Sequence, residues 1–457
     1  MTFAGGASTV TGSKFLIDGP RYRILVDCGL FQGLKELRLR NREPFTVPPA
    51  SIDAVLLTHA HIDHCGYLPA LVRNGFRGSV YATYGTKQLC RIVLPDAARL
   101  QEEEASHANR MGYSKHAPAL PLYTERDAKA ALKRFESVSY GVTIDVGRGV
   151  RAEFRRAGHI LGSASIVVSF DDGRSVLFSG DLGRPEHPIL RGPEPPAHAD
   201  HIVVESTYGD RSHDDASSLD RFRDAIVRTV ERGGVVVIPA FAVDRTEVLL
   251  YHLRRLVTAG EVPRLPVYVD SPMALSALDV YRRAINEDAA DVRTDLERGV
   301  DLFDPGELIE VRSVQASKAV NDVRDPCIIV SASGMATGGR VLHHLTHRLP
   351  DPKNTVMLVG FQTAGTRGRS LRDGATAVKM LGRYVPVRAE VVDVGGFSVH
   401  ADADEVIAWL KSAKQPPVTS YVVHGEAAAS AMMRDRMVRE LGWTAAVPGH
   451  LERVRLD

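Results

Sequence analysis

Thr58-His59-Ala60-His61-Ile62-Asp63-His64-Cys65-Gly66 decides how the rest of the chain is read. It follows Asp53-Ala54-Val55-Leu56-Leu57, an apolar run with the length of a buried strand. Gly66 then offers a point for the backbone to turn into a helix. Three histidines and an aspartate therefore sit on a tight loop at a strand end. Imidazole nitrogen and carboxylate oxygen both suit zinc. His59 and His61 flank Ala60, so in extended backbone they point the same way. Asp63 and His64 lie further along and can serve a second ion. An open zinc site takes about three protein ligands, so these four are too many for one ion and too few for two.

Further candidates stand at other strand ends. The hairpin pattern over 14–27 closes on Asp27, which either caps the next turn or holds a metal-bound histidine in the right tautomer. A helical stretch covers about 86–110. His159 lies between Gly158 and Gly162, just ahead of an apolar strand. Asp181 ends the run Ser175-Val176-Leu177-Phe178-Ser179-Gly180, where a carboxylate can give one oxygen to each of two cations. Glu205 ends the run from His201. His424 follows the apolar strand 418–423 and is the natural seventh ligand after His59, His61, Asp63, His64, His159 and Asp181.

Between about 210 and 387 the pattern changes to alternating strand and helix segments, which argues a parallel sheet with helices on its faces. Ligands bind at the carboxyl ends of such strands. Ser331-Ala332-Ser333-Gly334-Met335-Ala336-Thr337-Gly338-Gly339-Arg340 sits at one of them and runs into a helix. Its small residues make either a tight turn or an anion site of free amides. His343 and His347 have metal-ligand spacing, but the sequence offers no acid nearby to complete a site, so they read as a structural or solvated face.

Composition narrows the class. Hydrophobic residues make up 44% and charged residues 25%, the balance of a globular protein. No apolar run has the length of a membrane span, and Met1–Gly6 has neither the basic start nor the apolar core of a signal peptide. Cys28, Cys65, Cys90 and Cys327 show no paired spacing, so a reducing cytoplasm is expected. The net charge of +1 gives no global signature for nucleic acid. A local basic groove has candidates in Arg367, Arg369, Arg372, Lys379 and Arg383.

The whole set resembles the β-CASP branch of the metallo-β-lactamase superfamily. Asp27, the His59–His64 cluster, His159 and Asp181 match the superfamily's motifs, and Glu205, His400 and His424 match the branch's own. Residues 331–340 and 360–369 look like its insert segments. The resemblance implies an α/β fold: a metallo-β-lactamase αβ/βα sandwich over 1–208 and 388–457, with a β-CASP domain having a mainly parallel sheet inserted over 209–387. It implies two zinc ions per chain, one on His59, His61 and His159, the other on Asp63, His64 and His424, with Asp181 bridging. His400 would protonate the leaving 3′ oxygen, and Glu205 would orient it and favour its protonated form. Asp63 and Asp181 count with these two as catalytic. Ser331, Ser333, Gly334, Thr337, Arg340, Gln362, Thr366 and Arg369 would bind substrate. In the family, a histidine at the His424 position accompanies RNA-cleaving members. The expected protein is a zinc-dependent ribonuclease that hydrolyses single-stranded RNA to 5′ phosphate and 3′ hydroxyl ends. It is expected to act as an endonuclease, with exonuclease activity and a homodimer left open and no membrane partner. The alternatives are a DNA nuclease on the same scaffold and a catalytically silent, metal-bearing RNA-binding subunit.

Overall fold

The computed structural model describes residues 1–112, 114, 116–213 and 215–456. Contacts divide the chain into two units, Met1–Ser212 with His400–Asp457, and His213–Val399. The closing boundary, expected at 387/388, falls at 399/400 instead. The reason is strand pairing: Glu390–Asp393 runs parallel to Thr355–Leu358, with Thr355 opposite Glu390, and so belongs to the inserted sheet. The opening boundary falls at 212/213 rather than 208/209.

The first unit is two sheets face to face. One contains, in spatial order, Thr2–Gly5, Lys14–Asp18, Arg23–Val26, Ala54–Leu56, Ser79–Thr83 and Phe135–Val138. The other runs Ala445–Ala446, Thr419–Val423, His201–Glu205, Ser175–Phe178, Ala164–Phe170, Val150–Arg156 and Thr143–Gly147. Side chains alternate across a strand, and the alternation sorts them into two cores. Val176, Phe178, Val203, Tyr421 and Val423 point inward and meet Phe3, Phe15, Ile24, Val26 and Leu56 of the facing sheet. Leu177, Ile202, Val204 and Val422 point outward, onto Val406, Trp409, Leu410 and Met433. Those last four lie on the helices Ala403–Lys411 and Ala427–Arg436. The helices Leu68–Arg73, Tyr84–Met111 and Glu125–Leu132 follow strands of the first sheet. Thr83 caps the longest of them by accepting from Thr86 N–H at 3.2 Å.

The second unit carries a six-stranded sheet, ordered Leu308–Glu310, Val267–Val269, Ile328–Ser331, Val236–Pro239, Thr355–Leu358 and Glu390–Asp393. Every pairing in it is parallel. Parallel strands need crossovers, which the helices Arg245–Thr258, Pro272–Asn286 and Val341–Arg348 supply. The mainly parallel inserted sheet is therefore as expected. A separate two-stranded hairpin pairs Ala377–Met380 with Arg383–Pro386.

Candidate metal centre

The seven candidate ligands belong to one unit and gather at one end of its two sheets. Asp27 and the 57–61 segment follow the parallel strands Arg23–Val26 and Ala54–Leu56. Asp181, Glu205 and His424 follow or end Ser175–Phe178, His201–Glu205 and Thr419–Val423, which are parallel neighbours. His159 lies in the turn between Val150–Arg156 and Ala164–Phe170. The histidine-rich segment is not all loop: Asp63 and His64 lie on a short helix, Ile62–Cys65, and Gly66 ends it. Backbone approach is close here. A Cβ on Gly29 would lie 1.5 Å from Asp63 O, so only glycine lets the Asp27 turn seat against the helix.

The ligand atoms fall into two groups. His61 Nδ1 lies 3.2 Å from His59 Nε2 and 3.1 Å from His159 Nε2. Asp181 Oδ2 lies 3.4 Å from His59 Nε2 and 3.6 Å from His159 Nε2. In the other group, His424 Nε2 is 3.1 Å from His64 Nε2 and 3.4 Å from Asp63 Oδ2. Asp181 Oδ1 is 3.2 Å from His64 Nε2. A tetrahedral zinc with bonds of about 2.0–2.1 Å sets its ligand atoms about 3.3 Å apart, and these separations bracket that value. Asp181 gives one oxygen to each group. Its Oδ1 is buried and accepts no hydrogen bond among the described residues, an arrangement that costs free energy unless a cation is present. The donor set and spacing therefore fit a metal.

Supporting residues fix the histidine tautomers. His64 Nδ1 donates to Asp27 Oδ2 at 2.7 Å, which leaves Nε2 as the ligand atom. The Thr58 hydroxyl lies 2.9 Å from both Asp27 oxygens and 3.0 Å from His59 Nδ1. It donates to the carboxylate and accepts from the imidazole, so His59 Nε2 is the free atom. The other group repeats the device. The Thr207 hydroxyl donates to Glu205 Oε2 at 2.5 Å and lies 3.1 Å from His424 Nδ1. Thr58 and Thr207 were not singled out from the sequence, although each stands beside a motif residue, Thr58 before His59 and Thr207 two after Glu205. Asp181, Glu205 and His424 also group together, but Glu205 Oε1 accepts from Leu182 N–H at 2.6 Å and Oε2 from Thr207.

Protonation follows burial and charge. Burial holds His59 down at about 3 and His61 at about 4, and pushes His159 well below its ordinary value. All three are neutral near pH 7, the form that ligates metals. For His64 burial also acts downward, but the Asp181 and Asp27 carboxylates outweigh it and raise the imidazole well above its usual value. His424 is raised likewise, with Asp181 and Asp63 overcoming burial. The second group is therefore a pocket of negative charge suited to a cation.

His400 stands beside this cluster. Its ring centroid is 4.3 Å from that of His159, and its Nδ1 is 3.4 Å from Glu205 Oε1 and 3.9 Å from Asp181 Oδ2. Gly183 forms a bridge with His400, and a Cβ on Gly183 would meet Gly158 O at 1.8 Å, so glycine is needed where its backbone passes the Gly158–His159 turn. The side chain of His400 keeps 15% exposure against 1% for Asp181. Helix capping is not its task. Asp402 caps Ala403–Lys411 through Glu405 N–H at 2.9 Å, with Glu405 reciprocating.

The candidate substrate residues lie in the second unit, at the carboxyl end of its sheet. The structure brings 331–340 against 360–368: Gln362 Nε2 donates to Gly334 O at 3.2 Å, and Gly368 N–H to Met335 O at 3.0 Å. Many of their polar groups serve the loops themselves. Ser333 Oγ accepts from Thr337 N–H at 3.0 Å, Ser331 Oγ donates to Asp270 O at 2.8 Å, and Thr366 caps a helix through Arg369 N–H. Arg369 Nε pairs with Asp373 at 2.8 Å. Arg340 donates to Asp270 Oδ1 at 2.7 Å and to Val311 O at 3.1 Å. His343 and His347 form no metal-type group among the described residues, whereas the neighbouring His344 is buried, with Nε2 2.6 Å from Asp270 Oδ2.

Comparison with known proteins fits this arrangement. Residues 10–226 match the metallo-β-lactamase superfamily, 246–371 the β-CASP domain, and 384–448 the Zn-dependent metallo-hydrolase RNA specificity domain. The last range contains His400 and His424. The chain is 41% identical to the protein named ribonuclease TTHA0252 of Thermus thermophilus, over 92% of each chain. It is 30% identical to transcription termination factor FttA of Methanocaldococcus jannaschii, over 100% of this chain and 71% of that protein. An RNase J-like protein of the same organism is 30% identical, over 93% of this chain and 92% of its own. Among solved structures, a protein of unknown function from Enterococcus faecalis superposes with a TM-score of 0.51 at 15% identity, covering 99% of this chain and 98% of that one. That likeness concerns the fold alone. The cluster and the Zn-dependent family together support a metal cofactor. Among the described residues no helix is long and apolar enough to cross a membrane.

Proposed function

Because this chain belongs to the β-CASP ribonuclease family of the metallo-β-lactamase superfamily, and so to the metal-dependent nucleases, we propose that it hydrolyses single-stranded RNA with two zinc ions. His59, His61 and His159 would hold one ion, Asp63, His64 and His424 the other, and Asp181 both. The observation that carries this reading is the pair of Asp181 oxygens, each facing its own ligand group at 3.2–3.6 Å. Bound zinc offsets phosphate charge and lowers the pKa of water, so that hydroxide is available near neutral pH. The chain's own residues supply the rest. Asp27 and Thr58, and likewise Glu205 and Thr207, hold their histidines in the tautomers that turn Nε2 toward the ions. His400 gives a proton to the 3′ oxygen as the phosphorus–oxygen bond breaks, which leaves a 5′ phosphate and a 3′ hydroxyl. Its Nδ1 faces Glu205, so Nε2 is the atom that delivers the proton. The amides of 331–340 and the 360–369 segment, with Arg369, are read as phosphate contacts, and His424 as favouring RNA over DNA.

The test is one incubation of the zinc-loaded protein with end-labelled RNA and DNA of matched sequence. Faster cleavage of the RNA, with 5′ phosphate products, is expected. Equal or faster cleavage of DNA would reverse the substrate assignment, and binding without cleavage would point to a silent RNA-binding subunit.

A further inference from the structure

A second concentration of charge begins at the rim of the metal-type cluster. Leu30 N–H donates to Ile62 O at 2.9 Å, between His61 and Asp63. The chain leaving that contact runs Leu34-Lys35-Glu36-Leu37-Arg38-Leu39-Arg40-Asn41-Arg42 and contains the helix Lys35–Arg40. Asn41 fastens it in place: Phe31 N–H donates to Asn41 Oδ1 at 2.9 Å, and Asn41 Nδ2 donates to Phe31 O at 2.8 Å. Arg40 lies against the Phe31 ring, with Cζ 5.5 Å from its centroid. Arg42 donates to Leu120 O at 2.7 Å, and Arg73 to Leu122 O at 2.5 Å, so one short segment gathers both guanidinium groups.

Arg40, Arg42 and Arg73 are anchored by these contacts, and Lys35 and Arg38 lie on the same segment. Among the described residues, Lys35, Arg38, Arg40, Arg42 and Arg73 pair with no carboxylate. Elsewhere the surface arginines are commonly paired, as Arg23 is with Asp18, Arg99 with Asp96, and Arg282 with Asp301. The chain as a whole carries a net charge of only +1, so this local excess does not follow from composition. A carbonyl contact fixes a guanidinium while leaving its charge and its other N–H groups for an anion. Arg38 and Arg42 are four residues apart, and both are exposed along with Lys35 and Arg73. Exposed Leu39 and Leu120 add apolar surface beside them.

We propose that Lys35, Arg38, Arg40, Arg42 and Arg73 form a track for the phosphates of the RNA strand on one side of the metal-type cluster. The inference rests on the ribonuclease reading and extends it. The occupant follows from charge complementarity and from continuity with the rim at Ile62. Phosphate contacts position a strand without reading its sequence, so the track adds affinity and register, not base preference.

The test compares Arg38→Gln/Arg42→Gln with the unmodified protein, using short and long oligouridylates across a salt series. Binding of the long RNA should weaken, and the loss should grow with RNA length. The slope of log affinity against log salt should fall by roughly 0.7 per lost contact, about 1.4 for the pair. Zinc content and melting temperature should not change, and Arg38→Lys/Arg42→Lys should restore the slope. Unchanged affinity and slope, with the unmodified protein cleaving RNA normally, would overturn the track and leave the ribonuclease reading standing. Salt-sensitive RNA binding by an unmodified protein that cleaves nothing would do the reverse. An unmodified protein that binds no RNA would remove both, and would leave an acidic protein surface as the partner of this patch.

Discussion

Replacement of His400 by alanine gives the sharpest separation of roles. In the proposed two-ion site the seven ligand-type residues would serve both ions without it, and His400 Nδ1 is turned to Glu205 Oε1 at 3.4 Å and lies 3.9 Å from Asp181. His400→Ala should therefore keep both metals and still bind RNA. Its defect should lie in the chemical step. Loss of a general acid costs on the order of 10²–10⁴-fold, which is roughly 3–5 kcal/mol of barrier at 1.36 kcal/mol per tenfold. The assay is single-turnover cleavage of two RNAs, one ordinary and one with sulfur in place of the bridging 3′ oxygen. A thiolate leaves with little need of a proton, so the variant should cleave the sulfur substrate almost as fast as the unmodified protein does. Glu205→Gln should not be a milder copy of this defect. Glu205 also accepts from Leu182 N–H and from Thr207, and through Thr207 it reaches His424. That variant should lose zinc affinity as well as rate. If His400→Ala were equally slow on both substrates with its zinc intact, His400 would be positioning the phosphate, and another group would protonate the leaving oxygen.

Three further outcomes follow from named contacts. Asp181→Ala should lose zinc from both groups together with activity, because one carboxylate faces both; metal analysis checks it. Thr207→Val removes the partner of His424 Nδ1, and should weaken zinc binding by roughly 10–100-fold, the usual cost of losing such a contact, as read by competition with a chelator. Lys14 is buried among Phe31 and Tyr67 and hydrogen-bonds Gly12 O, and burial lowers its ammonium from 10.5 to about 8. Between those values the unfolded chain binds more protons than the folded one, so stability rises with pH there. Below pH 8 the whole cost is present, roughly 3 kcal/mol. The stability gained by Lys14→Met at pH 7 should therefore shrink toward pH 10.5 in denaturant titrations at both values.

Much of the metal-type site was legible because its residues share a local signature, an acid or histidine at the end of an apolar run. Asp27, Asp181, Glu205 and His424 all carry it, and strand pairing brings those ends together. What was hidden depends on partners distant in sequence. Thr58 and Thr207 look like ordinary strand-end residues until Asp27 and Glu205 arrive beside them. Asp27 and His424 take positive φ, 59° and 49°. Non-glycine residues seldom adopt this conformation, and nothing in the local sequence marks it. The closing boundary was displaced because Glu390–Asp393 reads as a strand in either unit, and only its parallel pairing with Thr355–Leu358 assigns it. Arg340 was expected to bind substrate. It is held by Asp270, whose own place at the end of an apolar strand is the same signature put to structural use with His344.

In the proposed site a pair of zinc ions shares Asp181. Anomalous diffraction from zinc-loaded crystals at the zinc edge tests it most directly. Two peaks are predicted in each chain, one among His59, His61 and His159, the other among Asp63, His64 and His424, with an Asp181 oxygen at about 2.0–2.2 Å from each. A single peak, or two peaks neither of which touches Asp181, would contradict it.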